Sequence, residues 1–406
     1  MKRSNLVLLF AALLILPALS QAADSPAPSS WTDKVKFSGD IRYRHEFIST
    51  QTLNADGQKT RIYDRNRQRL RARLGLQVTV NPVIDAHFRL GTSTFISNAN
   101  NPGAGDPIST NQDMSGGFSP KPLWIDRAYV DYHPCAHFSA RAGKQQIPFE
   151  HTDLVWDGDL NVEGLTALFS HKVHKHELFL RLGGYWAGER GPSGYAKHAL
   201  DQGLFEGQLG AKGVFDKLSC GLALAYIDYG NVKGNPTLFA PNNGFGNSLM
   251  PISGRGNDSL GYAYDFNIIN VTAQAKYKFS KIEPGLILDF ATNSGNDKKD
   301  PAYDKKLNTS WLAGATVKFM KLPLDWDLGY NYRVQQRDAV VGAFTDSDPV
   351  GGGTNFNGHK LALGFTVLPS TRLAFTYFKN VKDPDNKNSN KHYDYDRIQG
   401  DLEVKF

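Results

Sequence analysis

Arg69, Arg71 and Arg73 occupy every second position of the run RQRLRARLGLQVTV at 67–80. Guanidinium groups stay charged at any physiological pH and carry five N–H donors in a rigid fork. In an extended chain, side chains at this spacing stand about 6.6–6.8 Å apart on one face. A row of like charges that close repels itself unless carboxylates compensate it. Its chemistry is electrostatic: such a row holds a fixed field or offers a track to anions. The same run places Leu70, Ala72, Leu74, Leu76, Val78 and Val80 on the opposite side. It therefore reads as one strand with an oily face and an arginine face. Two environments suit it. In a soluble sandwich the arginines meet bulk water. In a membrane barrel the oily face meets lipid and the arginines line a wet interior.

The arginine parity extends beyond this run. Arg42, Arg44, Arg89, Arg127 and Arg141 share it on neighbouring alternating segments, together with Asp40, Glu46 and Asp131. Five more carboxylates follow the fifth segment: Glu150, Asp153, Asp157, Asp159 and Glu163. Two other clusters are weaker. HKVHKH at 171–176 has metal-ligand spacing, but it lies in a lysine-rich tight turn, which favours solvated histidines. NDKKDPAYDKK at 296–306 is acidic enough for calcium, and its interleaved lysines argue against that. No Gly-x-Ser-x-Gly elbow and no Ser–His motif of a barrel phospholipase is found, so the sequence argues against catalysis and implies no cofactor.

The elements that must position these charges are strands. Alternation recurs at 35–47, 67–80, 84–97, 123–132, 137–147, 163–170, 177–189, 204–215, 218–229, 266–279, 282–291, 309–320, 324–336, 359–368, 372–379 and 393–406. This gives about 16 strands. Short connections (near 81–82, 133–136, 172–175, 216–217, 280–281, 321–323 and 369–371) alternate with long ones rich in Gly, Asn, Asp and Pro. The long ones fall at 49–64, 98–122, 148–162, 190–203, 230–264, 292–308, 337–358 and 380–392. Strict alternation predicts an all-β, antiparallel up-and-down meander with every long loop at one end, closed into a transmembrane β-barrel. Both chain termini then lie at the short-turn end. Phe138, Phe215, Phe279, Phe319, Trp326 and Phe406 lie near that end with apolar parity and would form an interfacial girdle.

Composition agrees. With 406 residues, 21% charged, 12% aromatic, 39 glycines and a mean hydropathy of −0.41, the chain is too polar for helical spans. Lys2 and Arg3, an apolar run from Leu6 to Leu19 and the exit Ser20-Gln21-Ala22 describe a secretory signal peptide over 1–22, cleaved after Ala22. Residues 23–33 read as a tether and 34–406 as the barrel. Without Lys2 and Arg3 the net charge is about +4, too mild to imply nucleic acid. Cys135 and Cys220 fall about four strands apart, too far for a disulfide, and are expected as free thiols.

The C-terminal run YDYDRIQGDLEVKF resembles the terminal strand of Gram-negative outer-membrane proteins, which the barrel-assembly machinery recognises by its final aromatic, here Phe406. The run RAGKQQIPFEHTDLVWDGDLNVEG at 141–164 is similar to phosphate-selective-type porins in Gly143-Lys144…Pro148-Phe149, and to a large family of bacterial porins in WDGDLNVEG. The resemblance implies location in the outer membrane with its lipid and lipopolysaccharide, assembly as a homotrimer, periplasmic short turns and external long loops. It also implies that loop 148–162 folds into the lumen and narrows it. The expected activity is passive diffusion of small polar or charged solutes, with a weak preference for anions set by the eight arginines against the five acidic residues. Two alternatives stand beside it: a dedicated channel for an acidic solute or polymer, and a surface adhesin or receptor with a plugged lumen.

Overall fold

A computed structural model describes residues 30–53, 59–95, 104–189, 201–252, 259–296, 298–300, 304–320, 324–385 and 392–406. The proposed signal peptide and most of the tether lie outside these residues, as does the expected short turn at 321–323.

Sixteen strands form one antiparallel meander. They are β1 (Val35–Leu53), β2 (Lys59–Asn81), β3 (Ile84–Gly91), β4 (Trp124–Cys135), β5 (Phe138–Gln146), β6 (Asn161–Val173), β7 (His176–Gly188), β8 (Gln202–Phe215), β9 (Leu218–Gly230), β10 (Phe266–Tyr277), β11 (Ile282–Asn293), β12 (Thr309–Phe319), β13 (Asp325–Gln335), β14 (Phe356–Leu368), β15 (Thr371–Lys382) and β16 (Tyr393–Lys405). Each pairs with its sequence neighbours, and β1 also pairs with β16 from Asp40↔Lys405 to Gln51↔Asp394. The sheet therefore closes and leaves no unpaired edge, which is what allows strands to sit in hydrocarbon. At the seam the Phe406 ring covers Gly39, where an added Cβ would lie 2.6 Å from the ring.

Alternation dictates the two faces. On β2, Arg69 and Arg71 are buried while Leu74 is 48% exposed on the outside. Leu222, Leu286, Leu361, Phe375 and Leu402 carry the same exposed apolar face around the wall. No described helix is long and apolar enough to cross a membrane.

Three local expectations change. The first long connection is mostly strand: β1 and β2 continue to Leu53 and Lys59, because the β-branched and aromatic residues Thr50, Thr52, Ile62 and Tyr63 sustain pairing above the barrel. The third strand stops at Gly91 rather than at 97. There the Thr92 and Ser93 hydroxyls leave the ladder and donate to the carbonyls of Thr110 and Ser109, both at 2.8 Å. In the girdle, Phe215, Phe279 and Phe406 are exposed and Phe319 stacks on Trp326 at 3.9 Å, but Phe138 is covered by Phe169.

Gly143 and Gly164 form a register pair on β5 and β6 with φ of +123° and +156°. A Cβ at either would lie 2.3 or 2.2 Å from a carbonyl oxygen of the next strand, so this bend requires glycine. Cys135 and Cys220 are both free.

Leu74→Arg should lower the stability of the folded barrel by about 2–4 kcal/mol, the cost of a charge at mid-bilayer on the lipid face. Thr79→Leu, on the inner face, should change it by less than about 1 kcal/mol. Urea titration of the protein refolded into vesicles tests the orientation, and the reverse ranking would refute it.

Candidate functional site

The register places the β1 and β2 charges side by side. Asp40 faces Arg73, Arg42 faces Arg71, Arg44 faces Arg69 and Glu46 faces Arg67. Across the seam, Arg44 faces Asp401 and Arg42 faces Glu403 of β16. Glu46, 0% exposed, is the centre of the cluster. It accepts from Arg67 at 2.5 Å and Arg397 at 2.6 Å, with Arg44 at 3.5 Å and Arg69 at 3.7 Å. Asp40 accepts from Arg71 at 2.7 Å and from Arg73 at 2.6 Å, and Arg71 also pairs with Glu403. Arg44 grips Asp401 through two bonds of 2.6 and 2.8 Å, the planar fork matching the carboxylate.

Loop carboxylates complete the compensation. Asp113 pairs with Arg69 at 2.9 Å, Asp159 with Arg73 at 3.2 Å, and Asp348 with Arg397 at 2.9 Å. Arg42 donates to Asn111 at 2.5 Å and lies 4.0 Å from Asp401. Within this cluster seven arginines (Arg42, Arg44, Arg67, Arg69, Arg71, Arg73, Arg397) meet seven carboxylates (Asp40, Glu46, Asp113, Asp159, Asp348, Asp401, Glu403). The other three predicted arginines stand apart. Arg89 pairs with Asp126, Arg127 donates to Asn161 and Gln146, and Arg141 pairs with Asp131 at 2.9 Å.

The segment between β5 and β6 lies inside the barrel. Glu150 exchanges two 2.8 Å bonds with Gln208 of β8 and pairs with Arg181 and Lys212. Thr152 donates to Asp289 of β11 at 2.6 Å. Asp153 accepts from Lys360 of β14 at 2.8 Å, and the Leu154 carbonyl accepts from Gln335 of β13 at 3.1 Å. Asp159 reaches Arg73 of β2. One loop can touch these five strands only by crossing the interior. Its Leu154, Val155 and Trp156 are buried against Ile227, Tyr229, Phe266 and Ile268 of β9 and β10.

A second external loop, 336–355, joins it. Val340, Val341 and Ala343 are buried, the Phe344 carbonyl accepts from the Asp157 amide at 2.9 Å, and Ser347 N–H donates to Asp157 at 3.0 Å. Asn247 ties this loop to a third, bonding the carbonyls of Arg337 and Val340 and the amide of Gly342.

Glu163 lies on β6, as the alternating segment at 163–170 predicts, and so does not belong with the loop acids: it pairs with Lys144 of β5 at 2.7 Å with its side chain 63% exposed. Four carboxylates remain in the loop. The Lys360 ammonium, with Arg333, holds Asp153 down to about 2. Burial, reinforced by Asp346, pushes Asp157 well above the carboxylate range. Burial also raises Asp106, on the neighbouring loop, to about 6. Sequence reasoning missed Arg397, Asp401, Glu403, Asp348 and Lys360. The first three carry inner-face parity on the last strand, and barrel closure puts that strand beside β1.

Among the described residues no group of three or more His, Cys, Asp or Glu side chains is arranged to hold a metal, and HKVHKH is no exception.

A family described as putative porins matches residues 50–244 and 237–406. The chain belongs to this porin family. Its fold is also similar to OprB of Pseudomonas putida (12% identity, 91% of this chain and 94% of that one, TM-score 0.54). An anion-selective porin of Comamonas acidovorans matches at 11% identity over 92% and 99%, with a TM-score of 0.50. OmpF of Salmonella typhi matches at 10% identity over 92% and 97%, also at 0.50. At these identities the likeness is one of fold. No curated protein matches in sequence. This porin is an outer-membrane channel, and its short turns are the periplasmic end.

Glu46→Ala should cost about 3–5 kcal/mol, because it strands several buried guanidiniums at once. Asp401→Ala should cost less, since Arg44 keeps Glu46 and Asp348 as partners. Urea unfolding in vesicles gives the ranking, and equal midpoints would show that the cluster does not hold the barrel.

Proposed function

We propose that this porin is a passive diffusion channel for small polar and charged solutes, narrowed by the loop at 148–162. The observation that supports this reading most is the loop's bonding to inward side chains on β2, β8, β11, β13 and β14. In this reading Arg42, Arg44, Arg69, Arg71 and Arg73, with Arg89, Arg127 and Arg141, form the positive wall. Glu150, Asp153, Asp157 and Asp159 form the facing negative edge. A transverse field across a narrow wet gap orients dipolar solutes and rejects apolar ones, which cannot exploit it.

Preference for anions is weak in this scheme, because the wall cluster is matched in charge. It tips toward anions because buried carboxyls give up their charge readily. Cleavage after Ala22, recognition of Phe406 by the barrel-assembly machinery, contact with lipopolysaccharide and assembly as a homotrimer extend the reading from the sequence resemblance. A second reading, a receptor with a plugged lumen, draws on the apolar packing of loops 148–162 and 336–355 within the barrel. Single-channel recording separates the two: steady conductance supports the channel, and a silent folded barrel supports the receptor.

Reversal potential in a salt gradient tests selectivity. Replacing Arg69, Arg71 and Arg73 together by Gln should move it toward cations, and Asp159→Asn should move it toward anions. Asp157→Asn should move it less than Asp159→Asn does, because burial beside Asp346 already disfavours the charged form of the Asp157 carboxyl. Lowering the pH from 7.5 to 5.5 takes Asp106 through its value of about 6, removes negative charge and should strengthen anion preference. A shift toward cations on acidification, or no response to the triple arginine change, would overturn the assignment. The effect should fade as salt shortens the screening length, about 10 Å at 0.1 M.

A further inference from the structure

The channel reading leaves the periplasmic end of the lumen on β6 to β10 unused. Register sets the inward side chains there. Lys172 of β6 pairs with Glu177 of β7, Glu177 with Lys212 of β8, Lys212 with Gly221 of β9, and Gly221 with Gln274 of β10. Ser219 and Lys276 pair one inward step nearer the short turns. Neighbouring strands lie about 4.8 Å apart, so the Cα atoms of Lys172 and Lys212 stand about 9.6 Å apart and those of Lys212 and Lys276 about 12 Å. Flexible four-carbon stems let all three ammonium groups meet around one solute.

A cleft runs up this wall. At the periplasmic mouth a cavity of about 380 Å³ is lined by Lys172, Lys175, Glu177, Lys212, Gln274 and Lys276. A smaller one of about 70 Å³ is lined by Lys212, Gly221, Ala223 and Gln274, with Glu150 and His151 of the loop at 148–162. The two share Lys212 and Gln274. Their floor is β9, which offers only Gly221 and Ala223 there. The Lys212 and Gln274 side chains flank Gly221, since a Cβ added to it would stand 3.5 Å from each. The cleft therefore opens toward the periplasm and ends against the inward loop.

Charge in the cleft is not balanced. The Glu177 carboxylate accepts from the Ser170 hydroxyl at 2.6 Å. Glu150 pairs with Lys212 at 2.7 Å and with Arg181 at 2.8 Å, so Arg181 still holds it when Lys212 turns to a solute. Among the described residues Lys172, Lys175 and Lys276 have no carboxylate partner. We propose that the cleft binds one small oxyanion, a carboxylate or a phosphate, that enters from the periplasmic end. Lys172, Lys212 and Lys276 surround its charge, and the Gln274 amide donates to it. The site lies apart from the arginine wall, and it does not require that the lumen conduct.

Isothermal titration calorimetry of the full-length barrel in neutral detergent at low salt tests it, with inorganic phosphate and acetate as probes. Each should saturate at one per chain and displace the other, and the tighter of the two names the class of occupant. Lys172→Gln combined with Lys276→Gln should weaken both by about tenfold, through the loss of charge-assisted bonds. Gly221→Leu, which fills the cleft between Lys212 and Gln274, should abolish both. Lys318→Gln, on the inner face of β12 and outside the cleft, should leave both unchanged. Heat-modifiable migration on gels checks that each variant is folded. Absence of saturable heat, or unchanged binding in either cleft variant, would overturn the proposal. Binding lost when Arg69, Arg71 and Arg73 become Gln but kept in the cleft variants would overturn it too, by placing the anion on the arginine wall. A barrel that binds both probes yet conducts nothing would refute the channel and leave the site standing.

Discussion

The barrel depends on the burial of Glu46 among Arg44, Arg67, Arg69 and Arg397. A strand with arginine at every second position cannot fold next to another of its kind unless carboxylates are interleaved. Here the interleaving comes from three directions: from β1 itself, from β16 across the seam, and from loops that return into the lumen. The seam is therefore an electrostatic closure as well as a hydrogen-bonded one. Arg44 bound through both guanidinium edges to Asp401 fixes the stagger between first and last strands. A one-residue slip would turn the arginines toward lipid.

The interior has two halves of different character. The wall from β16 through β5 is polar and ionic. The wall from β7 through β12 presents Tyr185, Leu204, Ile227, Tyr229, Phe266, Ile268 and Leu312 inward, and the loop tip Leu154–Val155–Trp156 packs against it. Apolar inward positions would be wasted on water, and the loop covers them while its carboxylates point to the cations. The loop is amphipathic: its oily side packs on the apolar wall and its carboxylates pair with cations of the facing strands. The loop at 336–355 is bonded to it on both sides of Asp157, through Ser347 and the Phe344 carbonyl.

This arrangement changes how selectivity is to be understood. The arginine excess on the first five strands is offset in space by acids remote in sequence. In the proposed channel a solute meets a row of oriented ion pairs, a strong local field with little net charge. Charge balance then rests on the few carboxyls that burial makes easy to protonate, Asp106 and Asp157 among them.

Much of this was legible in the chain itself. Period-two alternation gave all sixteen strands, the alternation of short and long connections gave their order and closure, and parity gave the inward side of Arg69, Arg71 and Arg73. These are local properties, written in adjacent residues, and backbone geometry converts them directly into faces. Partnership was not local. Glu46 lies some 350 positions from Arg397, and only closure of the barrel brings them within 2.6 Å. Glu163 opens a strand in the sequence yet groups with the loop acids, and only register shows that its partner is Lys144. For the loop at 148–162 only the family resemblance implied a path into the lumen; its own residues did not, because its apolar Leu154–Val155–Trp156 finds a surface only once β9 and β10 have turned Ile227, Tyr229 and Phe266 inward. The sequence by itself determined which faces exist. The tertiary structure decided which charges meet, because pairing across a closed sheet depends on register and on loops folding back, and neither has a signature in neighbouring residues.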